Sequence, residues 1–200
     1  FLPQVAISLY VVLDRTLLGL LGSYSDVGIY EQGQKLTSII YKIVSSLGVV
    51  MLPRVANLLS ERRDKEAQNM VKFSFILYNL IIFPMIFGLI AVNEVFVELF
   101  LGKDFQDVKY VLYIITINIM LVGWTNILGH QVLVVRNKNK EFMLSTTIPA
   151  FVSVAVNIAV IPFFGYIGAS ITAVIVELLA FTIQWYYSRN IINKNLLFNK

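Results

Sequence analysis

Glu31, Lys35, Ser38 and Lys42 follow one another at intervals of 4, 3 and 4 residues inside a stretch that is otherwise apolar, and Ser45 continues the row. On a helix this spacing puts all five on one face, with Leu36, Ile39, Ile40, Ile43 and Val44 opposite. A polar stripe about four turns long suits the wall of a water-accessible cavity, and its two ammonium groups would attract an anionic ligand. Asp14 and Arg15 are neighbours in another apolar run; adjacent helical residues point about 100° apart, so the two are expected to bond different partners. Glu177 shares a face with Ser170 and Gln184, at intervals of 7, and has no basic residue within a turn. Such an acid either is protonated and hydrogen-bonded between helices or carries a proton or ion. A third polar set is Asn118, Asn126 and His130. His130 is the single histidine and there is no cysteine, which excludes a His-cluster metal site, a disulfide framework and a thiolate centre. A lone histidine near a helix end is expected to make a helix-helix or interfacial contact.

What must position these groups follows from composition. Of 200 residues, 58% are hydrophobic and 14% charged, with a mean hydropathy of +0.75, where soluble domains carry about 25% charged residues. A chain this small cannot hide that apolar excess inside itself, so lipid must cover part of it. Apolar runs long enough to span fall at about 2–21, 29–52, 71–93, 110–135, 142–164 and 167–187, each near the ~20 residues a membrane helix needs. Period-two alternation of the kind a membrane barrel requires is absent from the sequence, and a backbone in lipid must satisfy its own hydrogen bonds, so the runs are read as helices. Pro3, Pro53 and Pro162 sit near the expected ends, whereas Pro84 and Pro149 lie inside spans and predict kinks. The whole chain, 1–200, reads as a single transmembrane domain, an all-α bundle of six helices. It begins with Phe1 and has no basic signal-type leader, which reads as a cut through a longer protein.

Lys and Arg set the orientation. Arg54, Arg62, Arg63, Lys65 and Lys72 fall in one connection, Arg136, Lys138 and Lys140 in another, and Arg189, Lys194 and Lys200 in the tail, against only Lys103 and Lys109 on the opposite side. The positive-inside rule places the first set, including the C-terminus, in the cytoplasm; those loops are expected to set topology and touch anionic lipid. Glu94–Lys109 is too short and acidic to span and predicts a short helix lying at the outer interface. An ionised group at the middle of the bilayer costs roughly 2.5–3.5 kcal/mol, so Asp14, Arg15, Glu31, Lys35, Lys42 and Glu177 must face one another or water. Lys35 lies about 10 Å below the outer end of its span and Asp14 at a similar depth, so these two can meet at one level. The plainer reading of Asp14 and Glu31 is as halves of structural ion pairs locking two helices.

Several stretches resemble one family. The run VVLDRTLLGLLGSYSDVGIYEQGQKL, with Asp14 before Leu18-Gly19, a short turn, then Val27-Gly28 and Tyr30, resembles the start of the second half of the polysaccharide flippases, the Wzx-type branch of the multidrug/oligosaccharide/polysaccharide transporter superfamily. Val50-Met51-Leu52-Pro53-Arg54, LFLGKDF (99–105) and FFGYIGASITAVIVE (163–177) are similar to later parts of the same family. The resemblance implies a twelve-helix, two-lobed transporter of which this chain is the C-terminal lobe, with the N-terminal lobe as its partner and the polysaccharide polymerase machinery as a further possible one. It implies a substrate of oligosaccharide on polyprenyl pyrophosphate and a location in the bacterial cytoplasmic membrane. Transferred onto this sequence, the cavity candidates are Arg15, Lys35, Ser38, Lys42, Asn118 and Asn126, and the ion-coupling candidates are Asp14 and Glu177.

A drug/cation antiporter or a peptidoglycan-precursor flippase of the same superfamily are the alternatives; the antiporter should favour acidic and aromatic cavity residues. A membrane transferase would need catalytic acids or a histidine in a loop, and no Asp or Glu follows His130 within ten residues. A scaffold would not need a polar stripe. The chain is therefore expected to be a transporter and not an enzyme, with no metal, no cofactor and no nucleic-acid partner.

Overall fold

The fold is that of a computed structural model, which describes residues 2–189, 191 and 192, without the side chains of residues 2–11 and 43–45. Ser45 of the stripe, Ile43 and Val44 of the face opposite it, and Lys194 and Lys200 of the tail thus lie outside the described side chains. Five long helices follow one another: α1 (Leu2–Leu21), α2 (Tyr24–Ser60), α3 (Asp64–Leu101), α4 (Val108–Asn126) and α5 (Asn139–Ser188). Gly165 takes φ 50° and ψ −131° and divides α5 into two arms, residues 139–164 and 166–188, so the bundle has six helices. Phe142 and Pro149 of the first arm share a cavity with Gln184 and Val176 of the second, so the arms lie side by side. Among the described residues no strand occurs. Three helices among the described residues are long and apolar enough to cross a membrane, α3, α5 and α4 with its extension to Arg136, and α2 makes a fourth if its two bent parts are one span.

The helices outrun the apolar stretches that reveal them. At 37 and 38 residues, α2 and α3 are each about 55 Å long, well beyond the ~30 Å hydrocarbon core. The broad connection expected around 53–72 shrinks to Glu61–Arg63, and Pro53 lies within α2. The interfacial helix expected at 94–109 is instead the last two turns of α3, ended by Gly102 at φ 84° and followed by one 3-10 turn, Lys103–Phe105. An α-helix satisfies its own backbone, so it continues past the membrane boundary until a residue of unusual φ stops it. Arg62, at φ 60°, does this after α2, while Arg63 reaches Glu61 at 2.8 Å and Glu66 at 2.6 Å; the Arg63 hydrogen bond holds the exposed Glu61 carboxyl below its ordinary range. Pro84 and Pro149 lie inside continuous helices, and the non-helical φ/ψ within α5 falls at Gly165 rather than at its prolines. The sharp bend belongs to α2, 43° between Lys42 and Ser46, beside a Ser-Ser pair and Gly48 of the kind that commonly admits kinks.

The α1–α2 turn is a reciprocal cap. Asp26 N–H donates to Ser23 Oγ at 3.1 Å and Ser23 N–H donates to Asp26 Oδ2 at 2.9 Å, satisfying two otherwise orphaned donors. Two apolar clusters hold the bundle. One gathers Leu18, Tyr30, Val97, Val111, Leu112 and Ile161 near the Ser23 end. The other gathers Val55, Val71, Phe75, Ile82, Leu128 and Val132 toward the Glu61 end. The helix α4 contributes to both and is the most buried of the apolar spans. It continues through a π-helical segment, Ile127–Leu133, and a 3-10 turn, Val134–Arg136, to Asn137 at φ 58°. Across the α3–α4 seam Tyr78 donates its hydroxyl proton to the Ile119 carbonyl, and Trp124 Nε1–H donates to Asn79 Oδ1 at 3.0 Å.

Tyr78 fits only because Gly123 has no side chain: a Cβ there would overlap the tyrosine ring. Gly123→Ala is expected to cost about 1–3 kcal/mol through overpacking, seen as a lower thermal unfolding midpoint in detergent. Gly28→Ala, where a Cβ meets nothing within 4 Å, should leave that midpoint unchanged.

Candidate functional site

Between the two apolar clusters the helices do not close. A cavity of about 250 Å³ opens among α1, α2, α4 and the second arm of α5, and a second of about 340 Å³ lies further toward the Glu61 end. Both have Tyr41, Val122 and Glu177 in their walls. These three residues form a septum between the two spaces.

The α2 wall of the first cavity is made by Tyr30, Gln34, Thr37, Ser38 and Tyr41. Four of these repeat at 4, 3 and 4, the same interval as Glu31, Lys35, Ser38 and Lys42 but one residue earlier. The helix is turned so that the uncharged row faces inward and the charged row lies on the rim. Gly33 fixes this rotation, being buried where a side chain would collide with Val111 of α4. Ser38 lies on the border; its hydroxyl donates back to the Lys35 carbonyl at 2.7 Å.

On the rim, Arg15 of α1 and Lys35 of α2 share one carboxylate. Arg15 Nη1 is 3.5 Å and Lys35 Nζ 3.4 Å from Glu31 Oε1. All three side chains are a third or more exposed, and Lys42 is exposed two turns further along. Pairs of this exposure contribute little to stability, about 0–1 kcal/mol. Two cations on one acid leave a surplus of positive charge, and lipid would not tolerate it. This face therefore meets water or protein.

Asp14 does not meet Lys35. It is 5% exposed, and its Oδ1 accepts from Ser153 Oγ at 2.7 Å and from Asn157 Nδ2 at 2.6 Å, both on the first arm of α5. Depth placed the two charges at one level, but the helix rotation turns Asp14 to the α1–α5 seam and Lys35 outward. Asp14 and Arg15 thus take different partners. Glu177 lies at the septum, where its Oε1 is 2.6 Å from Thr125 Oγ1. The Thr125 hydroxyl is also 3.0 Å from the Val122 carbonyl. It has one proton for these two acceptors.

Asn118 lines the first cavity with its Oδ1 buried and without a hydrogen-bond partner among the described residues. Asn126 lines the second and donates to the Tyr41 hydroxyl at 3.3 Å. His130 is in the π-helical segment, its ring 5.1 Å from that of Phe142, a helix-helix contact at the edge of the second cavity. Sequence reasoning missed the wall row Tyr30, Gln34, Thr37 and Tyr41, and it missed Thr125, Ser153 and Asn157. The i, i+4 pair Ser153 and Asn157 in an apolar arm was the readable signal for the Asp14 partners. Among the described residues, no group of three or more acids or histidines could hold a metal ion.

The sequence profile of the family described as polysaccharide biosynthesis protein matches residues 1–110. The chain is 23% identical over 162 residues to a probable low-salt glycan biosynthesis flippase, Agl15, of Haloferax volcanii, a match covering 81% of this chain and 34% of that protein. It is 24% identical over 190 residues to the putative O-antigen transporter of Escherichia coli K12, covering 95% of this chain and 46% of the other. Among solved structures, an outward-facing multidrug resistance transporter of the MATE family in the MOP superfamily superposes with a TM-score of 0.78 at 16% identity, over 94% of this chain and 43% of that one. That likeness shows the fold, and the chain spans between a third and a half of the length of these relatives.

Removing the buried carboxylate isolates two donors. Asp14→Ala should lower stability by about 1–3 kcal/mol, the cost of leaving buried Ser153 and Asn157 donors unmet. Asp14→Asn, which keeps an acceptor oxygen, should recover most of that loss, with thermal unfolding in detergent as the measurement.

Proposed function

The chain belongs to the polysaccharide biosynthesis protein family, and from that premise we propose that it forms one lobe of a flippase. Its substrate is an oligosaccharide on polyprenyl pyrophosphate, moved across the cytoplasmic membrane by alternating access. The observation that carries this reading is the rim where Arg15 and Lys35 converge on Glu31 with positive charge to spare. A pyrophosphate is the complementary charge, and Lys42 continues the row along α2. The cavity beside the rim offers the amides of Gln34 and Asn118, with Asn126 beyond the septum, and amides suit the hydroxyls of a sugar. The basic ends of α2 and α3, with Arg136 and Arg189, face the cytoplasm.

Alternating access needs a barrier that one state closes and the other opens. Tyr41, Val122 and Glu177 supply it on this lobe, and an N-terminal lobe supplies the opposite wall and covers the charged rim. Rocking of halves about a midplane site is a common transporter scheme. Asp14 and Glu177 are the candidates for ion coupling. At Glu177 a bound proton would let the carboxyl donate to Thr125 while Thr125 donates to the Val122 carbonyl, satisfying all three. Without the proton, Thr125 must choose. The two relatives carry the names of a probable flippase and a putative O-antigen transporter, and the polymerase machinery of glycan assembly is the partner that would consume the flipped product.

A drug/cation antiporter is the second reading. The specific observation in its favour is that two carboxylates, Asp14 and Glu177, and Tyr41 line the first cavity with Arg15 as its one cation among the described residues, while Lys35 and Lys42 stay on the rim.

Transport separates the two. The full-length protein in liposomes should move a labelled polyprenyl-pyrophosphate oligosaccharide, and Lys35→Ala and Lys42→Ala should each slow it by about tenfold, the scale of one lost charge-assisted contact. Export of small organic cations with no lipid movement would replace the flippase with the antiporter.

A further inference from the structure

On the outer face of α2 and α3 lies a space unlike the two cavities. It is an open groove of about 320 Å³ whose walls are Leu36, Ile39 and Ile40 of α2 and Met85, Leu89 and Val92 of α3. Phe96 closes one end, and every lining residue is apolar. Gly88 lies in it, and a Cβ built there meets no atom within 4 Å. The groove is open at the one position of the α3 wall that lacks a side chain. Ile39 and Val92 on its lips are 56% and 50% exposed.

Its position matters more than its lining. Leu36 directly follows Lys35, and Ile39, four residues on, lies only about 40° round the helix from it. The groove therefore borders the cationic rim on the same helix. Lys35 is six residues into the apolar run that begins near residue 29, about 10 Å below its outer end along the axis. The headgroup of a resident phospholipid stays at the membrane surface and does not reach a cation at that depth. A lipid whose anionic head is being drawn through the bilayer does, and it brings the first part of its tail to the level of the groove.

We propose that this groove seats the isoprenoid chain next to the pyrophosphate, so that the rim and the groove together read the junction between head and tail of a polyprenyl-pyrophosphate lipid. The inference rests on the flippase reading. The methyl branches of an isoprenoid need width, and the missing side chain at Gly88 supplies it. Because lipid is as apolar as the groove, the gain comes from close packing and placement rather than from leaving water.

The test fills the groove without disturbing the fold. Gly88→Leu and Gly88→Trp point into open space and should unfold at the wild-type temperature. In liposomes carrying the full-length protein, both should slow transport of the long-chain polyprenyl-pyrophosphate oligosaccharide by about fivefold or more, the low end of what overpacking an occupied seat costs. An analogue lipid in which a short ethylene-glycol spacer replaces the isoprene units next to the pyrophosphate should be carried equally fast by wild type and both variants. A photo-crosslinker at Val92 gives a second readout that needs no transport. It should capture the polyprenyl-pyrophosphate lipid, with competition by unlabelled polyprenyl pyrophosphate and not by phosphatidylglycerol. Equal transport of the long-chain lipid by wild type and Gly88→Trp, equal slowing of both lipids, or competition by phosphatidylglycerol would each overturn the proposal. Wild-type protein that moves no lipid yet still captures polyprenyl pyrophosphate selectively would remove the flippase reading and leave the groove standing.

Discussion

A charge in lipid has nowhere to put its field, and the arrangement of this bundle follows from that cost. Asp14 is the strongest instance. Its carboxylate is buried at the wall of the first cavity, and the fold supplies two donors from one arm of α5 to hold it. This polar contact ties the first helix of the chain to the first arm of α5. Once α1 is fastened there, Arg15 must point elsewhere. It finds Glu31 on α2, and the rim exists because the seam does.

The same cost explains why polar groups collect in the middle of the bundle rather than at its surface. The apolar clusters at the two ends are closed, and α4 passes through both. Between them Gln34, Thr37, Asn118, Thr125 and Glu177 face inward around two spaces separated by a thin septum. In a soluble protein those groups could have been turned out to solvent. Here they have been turned toward each other, and they set polar groups into the otherwise apolar walls of the two spaces.

Much of this was legible in the residues. Six apolar runs gave six helices, because a backbone in lipid has almost no other solution. Their ends were not legible, because an apolar run marks the membrane whereas a helix ends where the chain can turn: at Arg62, Gly102 and Asn137. The candidate site was half legible. The 4, 3, 4 interval on α2 was the right kind of signal, yet two rows one residue apart carry it, and charge drew attention to the outer one. Which row faces inward depends on Gly33 meeting Val111, a contact nearly eighty residues apart in sequence. The partner of Asp14 was likewise invisible from depth alone, since depth sets level and not direction.

The length of α2 has a mechanical side. Its bend lies between Lys42 and Ser46, close to the septum residue Tyr41, and the fifteen helical residues Ser46–Ser60, Pro53 among them, follow it. That segment is a lever of about 21 Å. A swing of 10° at the bend would carry its tip roughly 4 Å, and α3 is joined to that tip by only three residues. A small rearrangement around Tyr41 would thereby be enlarged at the Glu61 end, where Arg63 pairs with Glu61 across the short turn into α3.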